Sequence, residues 1–110
     1  MADDLPPGSR HRSAYADHPA LKDVVPVFVG RLPAHVVNLR ALAGAGNTEE
    51  LRMVAHKLKG AGKSFGFAGI TQLASELEER ILAGGSASDI AASVNTLIAY
   101  LEHVDGYRPA

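Results

Sequence analysis

The chain has 110 residues, of which 46% are hydrophobic and 21% charged, with a net charge of −1 and no cysteine. These values describe one globular domain with a modest core, and they exclude disulfides, thiolate metal sites and any global field that would hold nucleic acid or an anionic membrane. With three Tyr, three Phe and no Trp it has too few aromatics for base-stacking platforms, and no apolar run approaches the roughly 20 residues of a membrane span.

Residues 1–18 are polar and broken by Pro6, Pro7 and Gly8. They are expected to form a flexible tail, with a short helical turn near residues 13–17. The opening Met-Ala-Asp-Asp-Leu-Pro-Pro-Gly lacks the basic-then-apolar order of a secretory signal, so a cytoplasmic location is expected. From Leu21 onward the apolar spacing is helical, and no stretch alternates as a strand does.

The first helical region spans about 20–43 and contains Pro26 and Pro33. Proline removes a donor and clashes with the preceding turn, so two pieces are predicted, 20–31 and 33–42. Gly44-Ala45-Gly46 then turns the chain. Asn47 is placed to cap a second helix, and Glu50 three residues later resembles a capping box. That helix runs to about Phe65 and ends at Gly66. A third covers about 68–82, with Ile70, Leu73, Ala74, Leu77 and Ile81 on one stripe. After Gly84-Gly85, Ser86 or Ser88 caps a last helix carrying Ile90, Val94, Leu97, Ile98, Leu101 and Val104. Short connections favour antiparallel neighbours, so the expected fold is all-α: an up-down-up-down four-helix bundle over residues 19–107.

Residues 55–66 contradict a helix built only for stability. They read Ala-His-Lys-Leu-Lys-Gly-Ala-Gly-Lys-Ser-Phe-Gly and hold three glycines. Each residue advances about 100° around a helix axis. With His56 at zero, Leu51, Val54, Leu58, Ala61 and Phe65 fall within about 40° of the opposite side. That stripe is the predicted core face, so His56 points away from it. Arg52, Lys59, Gly60 and Lys63 lie within about 60° of His56 and form an exposed ridge with it.

Surface histidines are common and most have no role. The glycines shift the balance. A glycine inside a helix costs about 1 kcal/mol against alanine. Gly60 sits on the ridge one turn after His56, and its missing side chain leaves an approach to the imidazole open. Gly62 lies nearer the core and is read as a close-packing residue. A neutral imidazole is a good nucleophile near pH 7. A phosphoryl group on it would place about two negative charges where Lys59 at i+3 and Lys63 at i+7 can meet them.

These residues resemble the histidine-containing phosphotransfer (HPt) domain family. Its His-x-Leu-Lys-Gly signature appears as His56-Lys57-Leu58-Lys59-Gly60, and Phe65-Gly66-Phe67 is also similar to the histidine domain of chemotaxis kinases. The likeness covers roughly residues 20–105. It implies a four-helix phosphotransfer protein that lacks a nucleotide site and is not a self-sufficient enzyme. In it His56 is phosphorylated on Nε2, Lys59 contacts the phosphoryl group and Gly60 admits the partner. The family often carries a Glu or Gln on the next helix, and the spacing places Glu78 there. Glu78 then accepts a hydrogen bond from Nδ1 of His56; otherwise it is one of three solvated carboxylates with Glu76 and Glu79. The implied partners are response-regulator receiver domains, each supplying an aspartate and a bound Mg²⁺, and a hybrid sensor histidine kinase. The chain itself is expected to bind no cofactor and to act as a monomer in a multistep phosphorelay. Two other readings stay open: a non-catalytic adaptor that binds receivers, and the phospho-accepting domain of a larger chemotaxis-type kinase. The short segment after Gly106 favours a stand-alone protein. Met53 and Phe67 are expected apolar members of the docking surface around His56.

Gly60-Ala61-Gly62-Lys63-Ser64 imitates the end of a phosphate-binding loop. The full pattern needs a glycine where Lys57 stands and a preceding strand, so nucleotide binding is rejected. His11, His18, His35 and His103 lack ligand-like spacing, with His11 and His18 in the tail and His35 and His103 read as surface or helix-end residues.

Overall fold

The computed structural model describes residues 10–109. The chain is all-α, with helices α1 (Val25–Gly44), α2 (Thr48–Ser64), α3 (Ala68–Leu82) and α4 (Ala87–Glu102). Each helix packs on the next, and α4 closes the ring against α1; diagonal pairs do not touch among the described residues. This is the expected up-down-up-down bundle. Leu32, Leu39, Leu51, Leu58, Ile70, Leu77, Leu97 and Leu101 fill its axis with almost no exposure.

The caps follow local chemistry. Asn47 Oδ1 accepts the Glu50 N–H at 3.4 Å, while the Asn47 N–H goes to the Leu42 carbonyl rather than to a Glu50 side chain, so half of the capping box forms. Ser86, not Ser88, caps α4 by accepting the Asp89 N–H at 3.1 Å. Gly66, at φ +81°, reverses the chain after α2, and the Phe67 N–H reaches back to the Gly62 carbonyl at 2.7 Å. That closure turns Phe67 into the core, where it is 2% exposed. The expectation that Phe67 belongs to a docking surface is therefore wrong; Met53, at 48%, is exposed as expected.

Two further expectations fail in the first helical region. It begins at Val25 rather than near residue 20, with Pro26 in the first turn where an N–H has no helical partner anyway. It then runs unbroken through Pro33. The proline forfeits the backbone bond to the Val29 carbonyl. Burial of Val29, Leu32, Val36 and Leu39 along the same side holds the helix across that gap.

The segment before α1 also differs from a free tail, although residues 1–9 of that expectation lie outside the described residues. Residues 14–17 form the expected turn, but residues 10–18 lie against the bundle. The His11 N–H donates to the His103 carbonyl at 2.9 Å, and the His11 ring stacks on Tyr100 with centroids 3.7 Å apart. Buried Ser13 donates from Oγ to the Phe65 carbonyl at 2.5 Å and accepts the Tyr15 N–H at 2.9 Å. The Ala14 N–H donates to the Gly66 carbonyl at 2.8 Å. The segment is a strap tying the end of α4 to the end of α2.

Candidate functional site

The buried residues of α2 are Leu51, Ala55, Leu58 and Gly62; Val54, Ala61 and Phe65 are half-buried against the core. At about 100° per residue, the centre of that buried set lies about 130° from His56, not diametrically opposite it. The helix is rolled toward α3, its most extensive neighbour. Gly62 makes the roll possible. A Cβ there would stand 2.6 Å from Thr71 Oγ1 and 2.8 Å from the Thr71 backbone nitrogen. The Thr71 hydroxyl donates to the Lys59 carbonyl at 2.8 Å across the same seam.

The roll carries His56 to the α2–α3 seam while leaving its side chain 65% exposed. Glu78 of α3 meets it there. Its side chain is 9% exposed, and Oε2 lies 3.0 Å from His56 Nδ1. An ionised carboxylate only accepts, so Nδ1 carries the proton in this pair and Nε2 is the nitrogen with the lone pair. Lys59 Nζ donates to Oε1 of the same carboxylate at 2.9 Å. Arg52, bound to Glu49 at 2.6 Å, stands 3.9 Å from Glu78 Oε2 as well.

Glu78 is thus a nearly buried anion ringed by Lys59, His56 and Arg52. The Lys59 ammonium holds the Glu78 carboxyl below the usual glutamate range; burial pushes the other way, and the His56 hydrogen bond adds to the lowering. Of the two readings the sequence leaves open for Glu78, the structure shows the contact. Glu76 and Glu79 are exposed.

Lys59 is 36% exposed and occupied by Glu78. Lys63 is exposed on the ridge and has no ion pair among the described residues. Gly60 is exposed, and a Cβ placed on it would meet nothing within 4 Å. Packing among the described residues therefore gives no reason for a glycine at that position. His35, expected at the surface, is half-buried on α1, where burial first and the charges of Arg31 and Lys57 next hold its imidazole below the usual histidine range. His103 sits at the C-terminus of α4 with Nδ1 2.8 Å from the Ala99 carbonyl.

Sequence reasoning missed that Thr71 takes part and that Arg52, placed on the ridge, approaches Glu78. A signal existed for Thr71: seven residues before Glu78, it falls within about 20° of it around the helix.

Residues 23–107 match the family model of the Hpt domain. The chain therefore belongs to the Hpt domain family, whose members are histidine phosphotransfer modules of phosphorelays that interact with receiver domains and are not enzymes in the ordinary sense. No curated relative and no solved structure matches the chain. Among the described residues no helix is long and apolar enough to cross a membrane.

Proposed function

We propose that this protein relays a phosphoryl group between receiver-domain aspartates through Nε2 of His56. One observation carries the reading: an exposed histidine whose Nδ1 is held 3.0 Å from a nearly buried carboxylate. That bond fixes the tautomer and aims the Nε2 lone pair outward.

In the forward step the Nε2 lone pair attacks the phosphorus of an aspartyl phosphate. The N–P bond forms as the P–O bond to the aspartate breaks, and its electrons leave with the carboxylate. No proton moves. The imidazole becomes an N-phosphorylated imidazolium that keeps its Nδ1–H on Glu78, whose charge balances it. Lys59 and Lys63 lie on the helix face where the phosphoryl oxygens arrive. Gly60 leaves the approach open. Mg²⁺ held by the receiver would supply screening of the moving charge, and positioning supplies most of the remaining acceleration. The next receiver takes the group by the reverse step. The protein acts as a monomer in the cytoplasm, between a hybrid kinase's receiver and a downstream regulator.

The test is to incubate the protein with each phosphorylated receiver domain of its source organism. An acid-labile, alkali-stable phosphate should appear on it and be absent from His56→Gln. Phosphate accepted equally by His56→Gln sinks the assignment, and binding without any transfer establishes the adaptor reading in its place.

A further inference from the structure

Beside the His56 ridge lies a concavity of about 280 Å³. Gly62 and Gly66 floor it, Ala14 and Tyr15 of the strap form one wall, Ala68 of α3 another, and Lys63 reaches it from the ridge. The strap is held there by three hydrogen bonds, Ser13 Oγ–H to the Phe65 carbonyl, the Tyr15 N–H to Ser13 Oγ and the Ala14 N–H to the Gly66 carbonyl. Gly66 allows the fit, since a Cβ on it would stand 2.6 Å from Ser13 Oγ and 3.0 Å from the Tyr15 ring.

We infer that this concavity, with the strap as its wall, is part of the surface on which a receiver domain docks, and that it takes a receiver side chain next to an acidic group paired with Lys63. The inference rests on the phosphotransfer reading above. Lys63 is seven residues beyond His56 and within about 20° of it, so it stands about 10 Å away along the same face. A receiver must bring an aspartyl phosphate into bonding distance of Nε2. Even a small transient interface covers about 600 Å² per partner, a disc of about 14 Å radius. A footprint centred on His56 therefore reaches the concavity. Lys63 is exposed and has no ion pair among the described residues, which suits a partner whose reacting site is an aspartate. The small residues Ala14 and Ala68 leave the depression open instead of filling it.

The experiment measures transfer from the most reactive phosphorylated receiver of the source organism over a range of receiver concentrations. The variants are Ala14→Glu and Ala68→Glu, both at exposed positions; Ala92→Glu, exposed on α4, is the control. Glutamate at Ala68 suits the first turn of α3, so that variant is expected to keep its fold. Far-UV circular dichroism and melting check each protein. Both variants should show at least a fivefold higher KM for the receiver, with the rate at saturation within twofold of the parent protein and the control unchanged. If the parent protein transfers phosphate and Ala14→Glu and Ala68→Glu match it at every concentration, the docking inference is overturned and the phosphotransfer reading stands. A loss confined to the saturating rate overturns it as well. If the parent protein accepts phosphate from no receiver, both fall.

Discussion

Glu78 Oε2 and His56 Nδ1 stand 3.0 Å apart across the α2–α3 seam, one side chain nearly buried and the other mostly exposed. The carboxylate is fixed by its own packing and by Lys59, so the histidine inherits its orientation from the bundle rather than from solvent. Removing the carboxylate should act on chemistry more than on fold. Glu78→Ala is expected to slow transfer by about tenfold, about 1.4 kcal/mol of barrier. Glu78→Gln, which still accepts from Nδ1–H, should recover part of that loss. Nitrogen NMR of the imidazole should show the Nδ1–H tautomer losing its dominance in Glu78→Ala alone. Equal rates in all three proteins would reduce Glu78 to a packing residue.

The same carboxylate sets a pH dependence. Its folded-state value lies below the ordinary glutamate value of about 4.3. The stabilisation is therefore fully present above about pH 4.3 and is lost as pH falls through the lower folded value. Melting temperature measured from pH 6 down to pH 3 should fall on the acid side, and Glu78→Gln should flatten that limb. A limb of the same steepness in both proteins assigns the acid transition to other carboxylates.

Gly60 and Gly62 should respond in opposite directions to the same substitution. Gly62→Ala drives a methyl into Thr71 and the Phe67 carbonyl, 2.6–2.9 Å away, and should destabilise the fold by about 1–3 kcal/mol. Gly60→Ala meets open space and should raise stability by about 1 kcal/mol through helix propensity. Its cost should appear in transfer from receivers, several-fold slower at low receiver concentration. Thermal melts and transfer rates on the two variants give a crossed pattern. Two variants equal in both measurements would remove the distinction between packing and approach.

How much of this was legible in the sequence depended on what each contact is made of. Helices α2, α3 and α4 were readable within a residue or two because local chemistry sets their ends, through Asn47, Gly66 and Ser86. The ridge of His56, Lys59, Gly60 and Lys63 followed from rotation alone. The roll of α2 toward α3 did not, since it depends on Thr71 meeting Gly62 across the seam. Glu78 was placed by spacing, but its choice between solvent and His56 is tertiary. Pro33 misled because propensity counts the lost bond and not the buried side chains on either side. The strap was hidden altogether. A serine among polar residues looks like tail until its hydroxyl is seen to meet the end of another helix.

Ser13 offers the test of that hidden element. Its hydroxyl donates to the Phe65 carbonyl and accepts the Tyr15 N–H, and the residue is buried. Ser13→Ala leaves both backbone groups without that partner, at a cost of about 1–3 kcal/mol. For a domain of this size each 1 kcal/mol lowers the melting temperature by about 4–8 °C. Amide exchange should quicken first at Ala14 and Tyr15, whose bonds depend on the strap staying down, while the protected interior of α3 keeps its rate until global unfolding. The α2–α3 turn would loosen with it, because the Gly66 carbonyl loses the Ala14 N–H once the strap lifts. An unchanged melting temperature and unchanged exchange at Ala14 would show that the bundle closes its end without the strap.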